Sequence, residues 1–338
     1  MKIGTAEATP GSKAVGYIAV ADYAGGIPIL VPVILFQGIE DGPTLWIEAM
    51  IHGDEYQNSV AVIEYSRTID PRKLRGSLVM IPAVNIAAVQ VKVRETSVDH
   101  SDLFYSFPGS PDAASATSGP PSLALMWSHL WFELITSTAN FLIDLHGGGL
   151  ESEIADVAMY PKVGIERTDA LSRELAMCYG YRYLISHSYH PDTPNWFDHS
   201  LVTQCALRGI PCALFEFPGP GGAPIDNREI ERACRGMRNI MKHLKMIEGS
   251  PERNVEHVLL EEMVNVATSR GGFIHSKVKL GQRVVKGETL ATVMNFFGEE
   301  VEEVKSPIDG VVTSIPSTML VGTGSWPFEM CHEVKGEK

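Results

Sequence analysis

No two cysteines in this chain form a Cys-x-x-Cys pair, and the five present (Cys178, Cys205, Cys212, Cys234, Cys331) are an odd number. That excludes a disulfide framework and leaves reduced thiols, as expected in a cytoplasm. Long apolar runs are missing too. The most apolar stretch, residues 27–36, is broken by Pro28 and Pro32, so no membrane-spanning helix is expected. The opening residues 1–7 have no apolar core of the kind a secretion signal needs, which again predicts a cytoplasmic location. Basic runs are absent: 28 Lys and Arg stand against 41 Asp and Glu, a net charge of −13. Without a basic patch or aromatic residues interleaved with basic ones, nucleic acid is excluded as a natural partner. A small molecule is the expected partner, and a homo-oligomer stays open.

Two short motifs stand out against this background. His52-Gly53-Asp54-Glu55 follows the apolar residues 44–51, and Asp144-Leu145-His146 ends the apolar residues 140–145. Of the eleven histidines, only His52 has a glutamate three positions on. Two imidazoles and one carboxylate are the ligand set of a catalytic zinc, with one position left for water. Both motifs lie where an apolar strand is expected to end, and ligands collect at the carboxyl ends of strands in open α/β sheets. Residues 54–65 read as a helix with an apolar stripe, so His52 and Glu55 are expected to share a face of its first turn. The plainer reading is a helix start whose acids favour the macrodipole. Asp144, on the strand face of His146, is the expected outer partner of that imidazole. Glu216 is a lone carboxylate in the apolar residues 210–217. Such a group needs either a partner or a chemical role. The partner would be a core arginine, and the role would be proton transfer at a metal-activated water.

The predicted fold class is α/β, a mixed central sheet flanked by helices, followed by a small β domain. Residues 1–40 are read as a β-rich lead-in, and strand-like and helix-like segments alternate from about 44 to 247. Helices are expected over 168–179, 195–207 and 226–247, and residues 106–122, rich in Ser, Pro, Gly and Ala, form a loop. Glu248-Gly249-Ser250-Pro251 marks a boundary, dividing a hydrolase-like domain (1–248) from an all-β domain (249–338). Within the second, residues 281–290 and 306–312 resemble the halves of a biotinyl/lipoyl-type barrel. The hairpin between them, residues 294–300, carries no lysine for a prosthetic group. Such a barrel can wall a site or support an oligomer.

Together these residues resemble the succinylglutamate desuccinylase/aspartoacylase family, a branch of the zinc carboxypeptidase fold. The resemblance implies that His52, Glu55 and His146 bind one zinc ion per chain and that Glu216 is the general base and acid. It also implies that Arg94 polarises the scissile carbonyl, with a surface cation beside Lys92 and Glu95 as the alternative, and that Asn85 and Tyr105 belong to the substrate segment. One departure is informative. The family usually has Asp-Leu-Asn-Arg where this chain reads Asp102-Leu103-Phe104-Tyr105, so the carboxylate clamp is missing. Acids expected near the site (Glu151, Glu153, Asp156, Asp192, Asp198) suggest a cationic or neutral group instead, and the turn 147–149 is similar to that of relatives that deacetylate N-acetyl-diaminobutyrate. The expected activity is zinc-dependent hydrolysis of the amide in a small N-acyl amino acid. The alternatives are a zinc carboxypeptidase acting on small peptides and a non-catalytic metal-containing protein. His187, His190 and His199 form a further cluster, read as a second metal site or as polar loop residues.

Overall fold

The computed structural model describes residues 1–111, 122–193, 195–220, 222–224, 226–252 and 255–334; most of the loop expected at 106–122 therefore lies outside the described residues. A 14-stranded mixed sheet organises the molecule. Across it run Ser12–Tyr23, Ile27–Gln37, Arg75–Ile81, Glu40–Ala49, Phe141–Gly147, Cys212–Phe217, Val157–Lys162, Tyr183–Ser188, Val258–Val266 and Phe328–Glu333, with shorter strands beyond. Arg75–Ile81, Glu40–Ala49, Phe141–Gly147 and Cys212–Phe217 are mutually parallel. The α/β architecture with a mixed central sheet is as the sequence predicts.

These central strands are covered on both sides, which is why their sequences are almost continuously apolar. Period-two alternation sorts them. Leu45, Ile47 and Ala49, with Ile143 and Leu145 and with Ala213, Phe215 and Phe217, face one core with the helices Tyr56–Ser66, Glu166–Tyr179 and Asn227–His243. Trp46, Leu142, Cys212 and Leu214 face the other, with the helices Leu123–Thr138 and Leu201–Leu207. The same alternation puts Glu48, Asp144, His146 and Glu216 on this second side. Register then makes them neighbours, with Glu48 opposite Asp144 and His146 opposite Glu216.

Two helices differ from expectation for local reasons. The helix predicted over 226–247 stops at His243, because Lys245 turns left-handed at φ 58°. The one predicted over 195–207 is split: Trp196–His199 is a 3-10 turn, and Ser200 then caps Leu201–Leu207 by accepting the Thr203 N–H at 3.3 Å.

The C-terminal residues 258–334 form strands without a helix. Val258–Val266 lies parallel to Tyr183–Ser188, and Phe328–Glu333 pairs antiparallel beside it. This continuation of the main sheet faces a separate four-stranded sheet of Glu300–Lys305, Thr289–Met294, Gly272–Ser276 and Leu320–Val321. Between them lies an apolar core that includes Val266, Ile274, Leu290, Val293, Phe328 and Met330. The small β unit thus shares one of its walls with the central sheet. Ser152–Ile154 pairs with Gly310–Pro316, tying it to the loops after His146. Among the described residues, no helix is long and apolar enough to cross a membrane.

Candidate metal and catalytic site

His52 leaves its strand through a strained turn. Met50 has φ 57°, an outlier for a non-glycine residue. The helix Ile86–Val91 and its cap hold that turn. The N–H groups of Val84 and Asn85 donate to the carbonyls of Ala49 and Met50, each at 2.9 Å, and Asn85 Nδ2 donates to Ile51 at 3.1 Å. Gly53 is required by close approach, since a Cβ there would lie 2.3 Å from the Ala88 carbonyl carbon. The helix begins at Tyr56, with Glu55 as its N-cap residue. This corrects the expectation of a shared helical face: the tight turn 52–55, ahead of the helix, brings His52 and Glu55 together. Nor does an acid occupy the first turn, so the macrodipole reading does not account for the motif.

The ligand candidates converge. His52 Nδ1 lies 2.7 Å from Glu55 Oε1, and His146 Nδ1 lies 3.2 Å from Glu55 Oε2. One ligand atom from each of the three residues falls within 4.8 Å of the others, and all three residues are buried. Glu55 Oε2 is buried with His146 Nδ1 beside it but without a well-aligned hydrogen bond, an arrangement that a cation at that point would relieve. Two imidazoles, one carboxylate and an unsatisfied buried oxygen aimed at their common point fit a divalent ion. Burial alone would raise the Glu55 carboxyl pKa, but the two imidazoles overcome it and hold the group well below the usual carboxylate range.

Each imidazole is steered from its far nitrogen. Asp144 Oδ2 lies 3.0 Å from His146 Nε2, as expected, and Asp102 Oδ1 lies 3.3 Å from His52 Nε2. Sequence reasoning missed the second pairing. Carboxylates in this position fix ring orientation and raise ligand basicity. The turn after His146 is tied to the turn 52–55 and to the helix Tyr56–Ser66. Asp54 Oδ2 accepts the Leu150 N–H at 3.0 Å, and Asn58 Nδ2 donates to the His146 carbonyl. Beneath Asp144, Glu48 is fully buried and accepts from Trp131 Nε1 at 2.8 Å. Burial, and then Asp144, pushes its pKa well above the ordinary value.

A cavity of about 90 Å³ opens over these groups, lined by His52, Glu55, His146, Glu216, Arg94 and Glu329, with Phe104, Tyr105 and Trp196 as its aromatic wall. Glu216 Oε2 is buried and unpartnered; burial first, and then Glu55, lifts its carboxyl to about 8 against the pull of His146. No core arginine pairs with it among the described residues. Arg94 is brought in rather than left on the surface: its Nε donates to Asp102 Oδ2 at 2.9 Å and its Nη1 lies 3.7 Å from Glu55 Oε1. Phe104, where the family clamp is expected, packs on both imidazoles, with centroids 5.6 Å from His52 and 5.0 Å from His146.

Several expected positions fall elsewhere. Asn85 is fully buried with its amide spent on Ile51 and on the Ala88 N–H, so it supports the His52 turn instead of facing the cavity. Glu151, Glu153, Asp156, Asp192 and Asp198 do not line it. Asp156 pairs with Arg232, and Asp198 caps the Asn195 turn. The acid that does reach the cavity is Glu329, from the C-terminal strand Phe328–Glu333. His187, His190 and His199 do not converge, and His52, Glu55 and His146 are the one metal-type grouping among the described residues.

His187 is buried against Phe197, with rings 4.3 Å apart, and its Nε2 finds no hydrogen-bond partner. Burial lowers its pKa from 6.5 to about 4. The unfolded chain takes that proton first, so the contribution is intact above about pH 6.5 and is lost as pH falls toward 4, on the order of 3 kcal/mol in all. His187→Phe is expected to flatten this acid limb in urea unfolding midpoints. An unchanged limb would assign it to other groups.

The catalytic-domain model of the succinylglutamate desuccinylase/aspartoacylase family matches residues 41–244, and the chain belongs to that family. It is 24% identical over 302 residues to the N-alpha-acetyl-L-2,4-diaminobutyric acid deacetylase of Halomonas elongata, covering 87% of this chain and 84% of that protein. Its fold is similar to that of the product-bound ectoine utilization protein EutE (DoeB) from Ruegeria pomeroyi, with TM-score 0.80, 21% identity and 95% of each chain covered. It is also similar to a succinylglutamate desuccinylase/aspartoacylase from Rhodobacter sphaeroides, with TM-score 0.80, 22% identity and 96% of each chain covered.

Proposed function

We propose that this chain hydrolyses the amide bond of a small N-acyl amino acid, releasing a carboxylate and a free amine, with one zinc ion held by His52, Glu55 and His146. The observation that carries this reading is the unpartnered Glu216 carboxylate, set opposite His146 in the sheet and opening on the same cavity as the ligand cluster. When bound, the ion supplies Lewis acidity and lowers the pKa of its water toward ~7.

The protein's own groups do the rest. Glu55 stays ionised, while Asp144 and Asp102 keep the two ring nitrogens aimed. Glu216 accepts the proton of the attacking water and passes it to the departing nitrogen, the two halves of general base and general acid catalysis. Arg94, anchored by Asp102, offers its guanidinium to the carbonyl oxygen as negative charge grows there. Phe104 and Tyr105 shape the substrate side and leave no clamp for a second carboxylate.

The aromatic replacement of that clamp, with the named activity of the Halomonas relative, supports N-acetyl-diaminobutyrate as substrate over N-acetylaspartate or succinylglutamate. A carboxypeptidase would need a carboxylate anchor. Arg94 is the one Lys or Arg among the cavity-lining residues, and Asp102 already engages it. Amine release over a panel of N-acyl amino acids tests the reading: N-acetyl-diaminobutyrate is expected to exceed the diacidic substrates by at least about 10-fold in kcat/KM. Preference for the acidic substrates overturns it.

A further inference from the structure

Glu329 reaches the cavity from the last strand of the β unit, far along the chain from every other acid there. The charges of the other lining groups are accounted for. Glu55 sits between two imidazoles and Arg94 is paired with Asp102, and the proposed reaction gives Glu216 the proton transfer. Glu329 makes no ion pair or side-chain hydrogen bond among the described residues. A half-buried carboxylate without a partner is costly, and a cationic ligand relieves the cost. Its neighbours suit the same occupant. Tyr105 and Trp196 line the cavity in edge-to-face contact at 6.2 Å, and aromatic faces attract cations. Burial and then Glu55 hold the carboxyl up at about 7, despite Arg94, so an incoming ammonium group would favour its ionised form.

We infer that Glu329 is a specificity-determining residue, which together with Tyr105 and Trp196 takes a positively charged nitrogen on the side chain of the substrate amino acid. The inference rests on the deacylase reading and deepens it: the β unit supplies the group that selects the amine. It also gives the barrel-like unit a part at the site: it adds to the cavity a carboxylate that neither the ligand cluster nor the proton transfer uses.

The test compares N-acetyl-2,4-diaminobutyrate with N-acetyl-norvaline, in which a methyl group replaces the ammonium. In the wild type the cationic substrate should win in kcat/KM, and Glu329→Gln should lower the cationic-to-neutral ratio by about 10–100-fold, the worth of one charge-assisted hydrogen bond. The loss should fall on KM. Calorimetric binding of free 2,4-diaminobutyrate and free norvaline gives the same ratio without turnover. If neither amide is hydrolysed, the deacylase reading fails, while the binding ratio still decides the role of Glu329. A ratio that Glu329→Gln leaves unchanged in both measurements, or a wild type that binds norvaline as tightly as diaminobutyrate, overturns the inference.

Discussion

Glu216→Gln is expected to keep its metal and lose about 10²–10⁴-fold in kcat, the usual worth of a positioned acid–base group. The two side chains have the same shape, and Glu216 is paired on both sides within the sheet, so the variant should fold. KM should change little, because the amide still fills the same space. The pH profile is the sharper readout. A carboxyl raised to about 8 by burial must be ionised to accept a proton, so wild-type activity should climb with pH through its apparent pKa. A bound divalent cation moves that limb to lower pH. The variant should lack the limb. Near-normal turnover in Glu216→Gln would remove this residue from the mechanism.

The second large effect is on the ion itself. His52→Ala, Glu55→Ala or His146→Ala each removes one of three converging donors. Zinc content should fall from about one per chain to nearly none, a loss exceeding the ~10–100-fold expected from the outer partners in Asp144→Asn or Asp102→Asn. Stability reports the same thing without catalysis. An ion at about 100 times its Kd stabilises the fold by ~2.7 kcal/mol, so zinc should raise the wild-type melting temperature and leave the three ligand variants where they were. A zinc-dependent shift that persists in His146→Ala would place the ion elsewhere.

What can be read from the chain depends on how local the cause is. His52 follows an apolar strand and Asp144, His146 and Glu216 lie within two others, where alternation and burial are written in consecutive residues, and the structure brings these side chains together. Glu48 is open to the same reasoning as Glu216, a carboxylate alone in an apolar run, but the motif that begins four residues later is the louder signal and masks it. The pairing of Asp102 with His52 joins two separate segments, and no spacing rule announces it. Glu329 is harder still. It lies in an ordinary alternating strand of the C-terminal unit, and only the sharing of the main sheet brings that strand to the cavity. Asn85 shows the reverse error: a polar residue in the right segment reads as a substrate contact, whereas its amide holds the backbone that presents His52. The acids around 151–198 flank cavity-lining residues in sequence but do not themselves line the cavity.

Amine release by protein stripped with a chelator and then reloaded stepwise with zinc tests the central claim most directly. The account predicts that stripping abolishes hydrolysis and that activity returns in proportion to added zinc, stopping at one ion per chain. Activity that survives stripping, or that keeps rising well beyond one equivalent, would contradict it.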